Sequence, residues 1–201
     1  MKLVQRLGVF GGAFDPPHAA HLALAQVAID TLALDELRIV PTGLAWHKVR
    51  VLTDARHRLA MTELAFAAVP QVVVDPRETQ RAGPSYTVDT LRELKAQYPQ
   101  VDLFLIVGED QASALPAWHA WEEILRLAII CVAERADNMG SQPRFVAPKA
   151  HEFRFRRLSM PALPISATHI RAQVAARSSV VPLVCELVAR YIDDHHLYQT
   201  N

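Results

Sequence analysis

The chain has 201 residues, about half of them apolar, enough for a substantial core. Its 21 basic and 21 acidic side chains cancel at pH 7, which argues against a nucleic-acid scaffold or an anionic membrane surface as partner. No basic leader runs into an apolar stretch, and no window approaches the roughly eighteen apolar residues of a membrane span, so a cytoplasmic protein is expected.

In chain order, "LGVFGG" (7–12) reads as a strand and "HLALAQVAIDTLAL" (21–34) as a helix. "ELRIVPT" (36–42) is a second strand, and "DARHRLAMTELAFAAV" (54–69) a helix. "QVVVD" (71–75) and "TVDTLRELKAQYP" (87–99) repeat the alternation. "DLFLIVG" (102–108) and "LAIICVAE" (127–134) complete five near-continuous apolar strands. Strands without polar alternation are buried on both faces, as in a parallel sheet covered by helices. The polar, proline-bearing stretch 136–164 holds two further candidate strands, "PRFVA" and "FRFRRLSM". "ISATHIRAQVAAR" (165–177) and "VPLVCELVARYIDDHHL" (181–197) read as closing helices. Cys131 and Cys185 lie in apolar runs and read as buried hydrophobes rather than a disulfide. The expectation is a doubly wound, Rossmann-like α/β fold, with helices on both sheet faces and one domain over 1–201 whose C-terminal part, 165–201, is helical.

Ligands of such sheets bind outside the carboxyl ends of the strands, near the switch in strand order. That rule directs attention to 11–21, 41–48, 108–110 and the loop after Glu134. In "GVFGGAFDPPHAAH" (8–21), Gly11 and Gly12 allow a tight turn and close approach of a ligand. The prolines fix the next turn, so that His18 opens a helix whose free N–H groups attract anions. His18 and His21, three apart, share a face. They lack the spacing and the glutamate of the His-Glu-x-x-His zinc pattern. This stretch alone fits equally a strand-to-helix turn with two surface histidines. In "PISATHIR" (164–171), Ser166 is placed as N-cap, and Thr168 and Arg171 share the next turn. Hydroxyls, free backbone donors and an arginine at one helix start describe a polyphosphate site, and describe equally a capped helix with a solvated arginine.

Together the strand-GGxFDPxHxxH stretch and the distant ISxTxIR resemble the nucleotidyltransferases of the HxGH type, and within them the nicotinate-nucleotide adenylyltransferase family. Similar too are "PSYTVDTL" (84–91), "GED" (108–110), "PAWHAWEEIL" (116–125), "HK" (47–48), "AER" (133–135) and "YIDDHHLY" (191–198), in the same order along nearly the whole chain. The resemblance implies an enzyme that joins ATP and nicotinate mononucleotide by in-line attack on the α-phosphorus, releasing pyrophosphate in NAD biosynthesis. On that resemblance His18, His21 and Arg171 are catalytic. Gly11, Gly12, Phe14, Gly108, Ser166 and Thr168 join them in holding ATP. Lys48, Tyr86, Thr87, Asp110, Trp118 and Arg135 are assigned to the mononucleotide. Magnesium is expected to arrive with ATP, keeping its waters, with no dedicated protein metal site. A sibling acting on the amide mononucleotide or phosphopantetheine, and a non-catalytic nucleotide-binding module, are the alternatives; homo-oligomerisation is left open. Three departures stand out: Ala13 where threonine or serine is usual, Ala45-Trp46 before His47-Lys48, and Ala20 in place of the glycine of His-x-Gly-His. The methyl of Ala20 is expected to nudge the adenosine rather than abolish chemistry.

Overall fold

The computed structural model describes residues 4–44, 51–135 and 145–199. Six parallel strands form one sheet in the order β3-β2-β1-β4-β5-β6: β1 (Arg6–Gly12), β2 (Glu36–Pro41), β3 (Val72–Val74), β4 (Asp102–Gly108), β5 (Ala128–Arg135) and β6 (Phe155–Met160). This is the doubly wound arrangement, with its switch between β1 and β4. The continuous apolar runs have the expected cause. In β4, Phe104 and Ile106 join the core cluster on one face, while Leu103, Leu105 and Val107 join the cluster on the other. Period-two alternation is present, but both phases are buried.

The first face is covered by α1 (Ala19–Leu32), α2 (Ala55–Phe66), α7 (Ala167–Ala175) and α8 (Glu186–Asp194). The second carries α4 (Thr87–Gln97), α5 (Glu109–Ala114) and α6 (Trp121–Leu127), while the one-turn α3 (Arg77–Gln80) bridges β3 and α4. Helix ends are set by local chemistry. Asp54 caps α2 by accepting from the Arg56 N–H at 2.9 Å, and Ala33 ends α1 in the left-handed region at φ 47°.

Several expected boundaries shift. Of the two further candidate strands, "FRFRRLSM" yields β6, the sixth strand of the sheet, whereas Phe145–Ala147 of "PRFVA" form no strand. The helix expected over 181–197 spans only Glu186–Asp194, with a turn over 181–183 before it and Cys185 as its extended N-cap. The one-turn α3 was not anticipated, since a single turn carries too little periodicity to register.

One buried charge ties the layers to the turn after β1. Arg58 of α2 is 2% exposed; its Nε donates to the Thr53 carbonyl at 2.8 Å and one terminal nitrogen to the Ala13 carbonyl at 3.0 Å. Replacing it leaves two carbonyls without their charged donor. Arg58→Met is expected to lower stability by about 2–4 kcal/mol, read as an earlier urea midpoint, with Arg58→Lys intermediate. A loss below about 1 kcal/mol would show that water substitutes freely for the guanidinium.

Candidate active site

β1 ends at Gly12, and the chain turns through Ala13–Pro17 before α1 begins. Phe14, at φ 46°, sends its ring down into the core, edge-on to Phe10 (5.5 Å), Phe66 (6.3 Å) and His21 (5.0 Å). His18 keeps an extended backbone as the N-cap of α1. Its N–H donates to Nδ1 of His21 at 3.1 Å, and the two imidazoles stack with centroids 3.7 Å apart. Burial, and then the neighbouring His18 ring, hold the His21 pKa well below its ordinary value. His21 is therefore neutral at pH 7. Since Nδ1 accepts a hydrogen bond, its proton sits on Nε2, which makes that nitrogen a donor.

The turn is also held from distant parts of the chain. Asp15 is 2% exposed; its Oδ1 accepts from the Tyr198 hydroxyl at 2.6 Å and its Oδ2 from the Thr53 N–H at 3.3 Å. Its main-chain carbonyl accepts from Arg171 at 2.7 Å. Arg171 donates at the same time to the Thr168 hydroxyl at 3.1 Å, in the first turn of α7. Ser166 is the N-cap of that helix, its hydroxyl accepting from the His169 N–H at 3.2 Å.

These elements border a cleft of about 450 Å³ at the carboxyl edge of the sheet. One wall is Gly11, Gly12, His18, Ala20 and His21 from β1 and α1, with Ser166 and Ala167 from the start of α7 beside them. Gly108 of β4 forms part of the floor; a Cβ built there would meet no protein atom within 4 Å, so bare backbone faces the cleft. The far wall is Ser85, Tyr86 and Thr87 at the start of α4, with Trp118 and His119. The His119 ring lies 4.6 Å from that of Tyr86. Gly43 packs so tightly that a Cβ would come 2.0 Å from the Glu78 carbonyl, so only glycine fits between the loop after β2 and this wall. Glu78 also borders the cleft. Burial raises its carboxyl pKa, and the Thr90 hydroxyl donates to it at 2.7 Å.

Of the residues singled out from sequence, Gly11, Gly12, His18, His21, Gly108, Ser166, Tyr86, Thr87 and Trp118 line this one cleft. Thr168 and Arg171 stand just outside the lining, joined to the Asp15 turn. Asp110 is exposed in the first turn of α5, beside the lining residue Gln111. The Phe14 side chain is core, supporting His21 from behind. Trp118 precedes α6 and Trp121 begins it. Lys48, with Trp46 and His47, lies outside the described residues; Arg135 closes β5, and its side chain is not among them. Sequence reasoning missed His119, Gln111, Glu78 and the Met160–Ile165 stretch of the lining. The last follows β6, a candidate strand whose carboxyl end the rule was not applied to. No group of three or more His, Cys, Asp or Glu that could hold a metal converges among the described residues, and no helix there is long and apolar enough to cross a membrane.

Comparison with known proteins agrees with this geometry. The cytidylyltransferase-like family model matches residues 9–173. A protein of Albidiferax ferrireducens named "probable nicotinate-nucleotide adenylyltransferase" is 64% identical over 197 residues, covering 98% of this chain and 100% of that one. One of the same name from Methylibium petroleiphilum is 44% identical, covering 96% and 92%. The fold matches that of Plasmodium falciparum nicotinic acid mononucleotide adenylyltransferase in complex with APC, at a TM-score of 0.76 and 18% identity over 98% of each chain. The chain belongs to the cytidylyltransferase-like family and, within it, to the nicotinate-nucleotide adenylyltransferases.

Proposed function

We propose that the cleft joins ATP to nicotinate mononucleotide, giving nicotinate adenine dinucleotide and pyrophosphate for NAD biosynthesis, with 1–201 working as one unit in the cytoplasm. The observation that carries this reading is that two helix starts bearing donors, His18–His21 on α1 and Ser166 on α7, open into the same cleft as Tyr86, Thr87 and Trp118. Polyphosphate needs donors from more than one direction, and an acceptor has to reach the α-phosphorus from the side opposite the leaving pyrophosphate. The names of the relatives point to the same pair of substrates.

The chemistry needs no protein nucleophile. A phosphate oxygen of the mononucleotide forms a bond to the α-phosphorus while the bond to the bridging oxygen of pyrophosphate breaks. The protein contributes positioning and donors aimed at the oxygens that gain charge. Neutral His21 donates from Nε2 without the cost of keeping two cations in stacked contact with His18. Arg171, Thr168 and Ser166 take the β- and γ-phosphates, and the backbone of Gly11, Gly12 and Gly108 lets the nucleotide lie close. Magnesium neutralises phosphate charge when bound. It fits here as a passenger of ATP, held by phosphate oxygens and water, because the groups facing that end of the cleft are donors.

At the acceptor end α4 begins without a side-chain cap, so its first N–H groups are available to an anion. That suits a pyridine carboxylate better than a carboxamide. The Glu78 carboxyl at this end is engaged by the Thr90 hydroxyl, which donates to it at 2.7 Å. Trp118 offers a ring face to the pyridine; Asp110, Lys48 and Arg135 are assigned to the ribose and phosphate of the mononucleotide.

Pyrophosphate release from ATP and magnesium, measured with each acceptor, tests the reading. The acid mononucleotide should be used at least about tenfold better than the amide, with phosphopantetheine inert. Equal use of acid and amide would defeat the carboxylate argument, and no turnover with any acceptor would leave a nucleotide-binding module. His18→Ala should lower kcat by about a hundredfold or more with little change in melting temperature. Ala20 borders the cleft, so Ala20→Gly should at most tighten ATP, lowering its KM by less than about fivefold at unchanged kcat. A large gain in kcat would mean that the methyl obstructs the reacting geometry itself.

A further inference from the structure

We infer that Tyr198 is a positioning residue for the phosphate-binding side of the cleft, acting through Asp15 on Arg171. The two residues are 183 positions apart in sequence, yet the tyrosine hydroxyl donates to Oδ1 of Asp15 at 2.6 Å. The other carboxylate oxygen accepts from the Thr53 N–H, so the Asp15 side chain is fixed at both oxygens. The main-chain carbonyl of the same residue accepts from Arg171 at 2.7 Å. Fixing the carboxylate fixes the peptide unit that aims the guanidinium, and the second nitrogen donor of Arg171 goes to Thr168 at the start of α7.

The backbone after α8 is shaped to make this contact. His196 and Tyr198 both adopt left-handed conformations, at φ 50° and 63°, which residues with a Cβ rarely take. These two residues turn the chain back from the end of α8, while the Leu197 N–H returns to the Ile192 carbonyl at 3.0 Å. The segment folds back onto the turn after β1 instead of continuing the helix. Burial and the adjoining carboxylate raise the tyrosine pKa, so the hydroxyl stays protonated and serves as the donor at any working pH. A tail that merely packed would require the ring alone.

This rests on the reading above that Arg171 holds the phosphates of ATP. The test therefore uses binding as well as turnover. The dissociation constant of ATP with magnesium is measured by calorimetry for the wild type, Tyr198→Phe, Asp15→Ala and the double variant. KM values for ATP and nicotinate mononucleotide and melting temperatures are taken alongside. Tyr198→Phe keeps the ring and removes only the donor. It should weaken ATP by about tenfold, leave the KM for the mononucleotide within about twofold, and have no further effect in the Asp15→Ala background, where the acceptor is gone. Unchanged ATP affinity in Tyr198→Phe overturns the inference. So does equal weakening of both substrates in step with a lower melting temperature, or simple additivity with Asp15→Ala. A wild type that binds ATP without turnover refutes the proposed reaction and still decides the role of Tyr198 through binding; one that does not bind ATP overturns both.

Discussion

All strands of this sheet run the same way, and the geometry of the site follows from that polarity. In a parallel sheet every connection leaves from one edge, so each following helix begins there with its unsatisfied N–H groups directed outward. α1 after β1, α5 after β4 and α7 after β6 all start at this edge. The order β3-β2-β1-β4-β5-β6 then sets β1 against β4 where the connections diverge to opposite faces, which leaves a crevice between their ends. An antiparallel sheet of the same strands would divide these helix starts between its two edges, and no triphosphate could span them.

Polarity supplies donors but does not hold them still. The turn after β1 carries His18 and His21 and must be fixed by other parts of the chain. Arg58 takes the carbonyl of Ala13, Arg171 the carbonyl of Asp15, and Tyr198 with the Thr53 backbone the Asp15 carboxylate. A buried carboxylate and buried guanidinium are costly unless each is hydrogen-bonded on several sides. Satisfying them here demands that α2, α7 and the segment after α8 all be docked. The structural and functional requirements therefore converge on one short loop.

The main architecture could be read in the sequence because buried parallel strands and long helices write strong periodic patterns. "DLFLIVG" is legible as a doubly buried strand whatever surrounds it, and Ser166 could be placed as an N-cap from its position before an apolar run. The residues that close the site are a different matter. Glu78 and His119 reach the cleft through one-turn helices and irregular chain, where no period exists to phase them. Tyr198 lies in a segment that reads as the end of a helix, and only its left-handed backbone turns it toward Asp15. Phe14, counted with the nucleotide because of its motif neighbours, goes inward because its φ of 46° reverses the direction its side chain would otherwise take. Local patterns fix elements; contacts between residues far apart in sequence have no local trace.

The two histidines show how a motif can single out residues and leave their charge state open. A pair three apart on a helix start invites the picture of two cations facing a polyanion. Their stacking at 3.7 Å and the burial of His21 rule that picture out at neutral pH, since both rings charged at that separation would repel strongly in a partly desolvated wall. A neutral donor has a consequence for the reaction. It stabilises an oxygen in proportion to the charge that oxygen carries, without binding the resting triphosphate as tightly as a cation would. The difference between ground state and transition state is thereby preserved, and that difference is what raises the rate. In the proposed reaction the full positive charge falls to Arg171, which sits one helix start away and donates to the Asp15 carbonyl and Thr168. On the proposed reading, the pair would answer to developing charge while the arginine supplies the attraction.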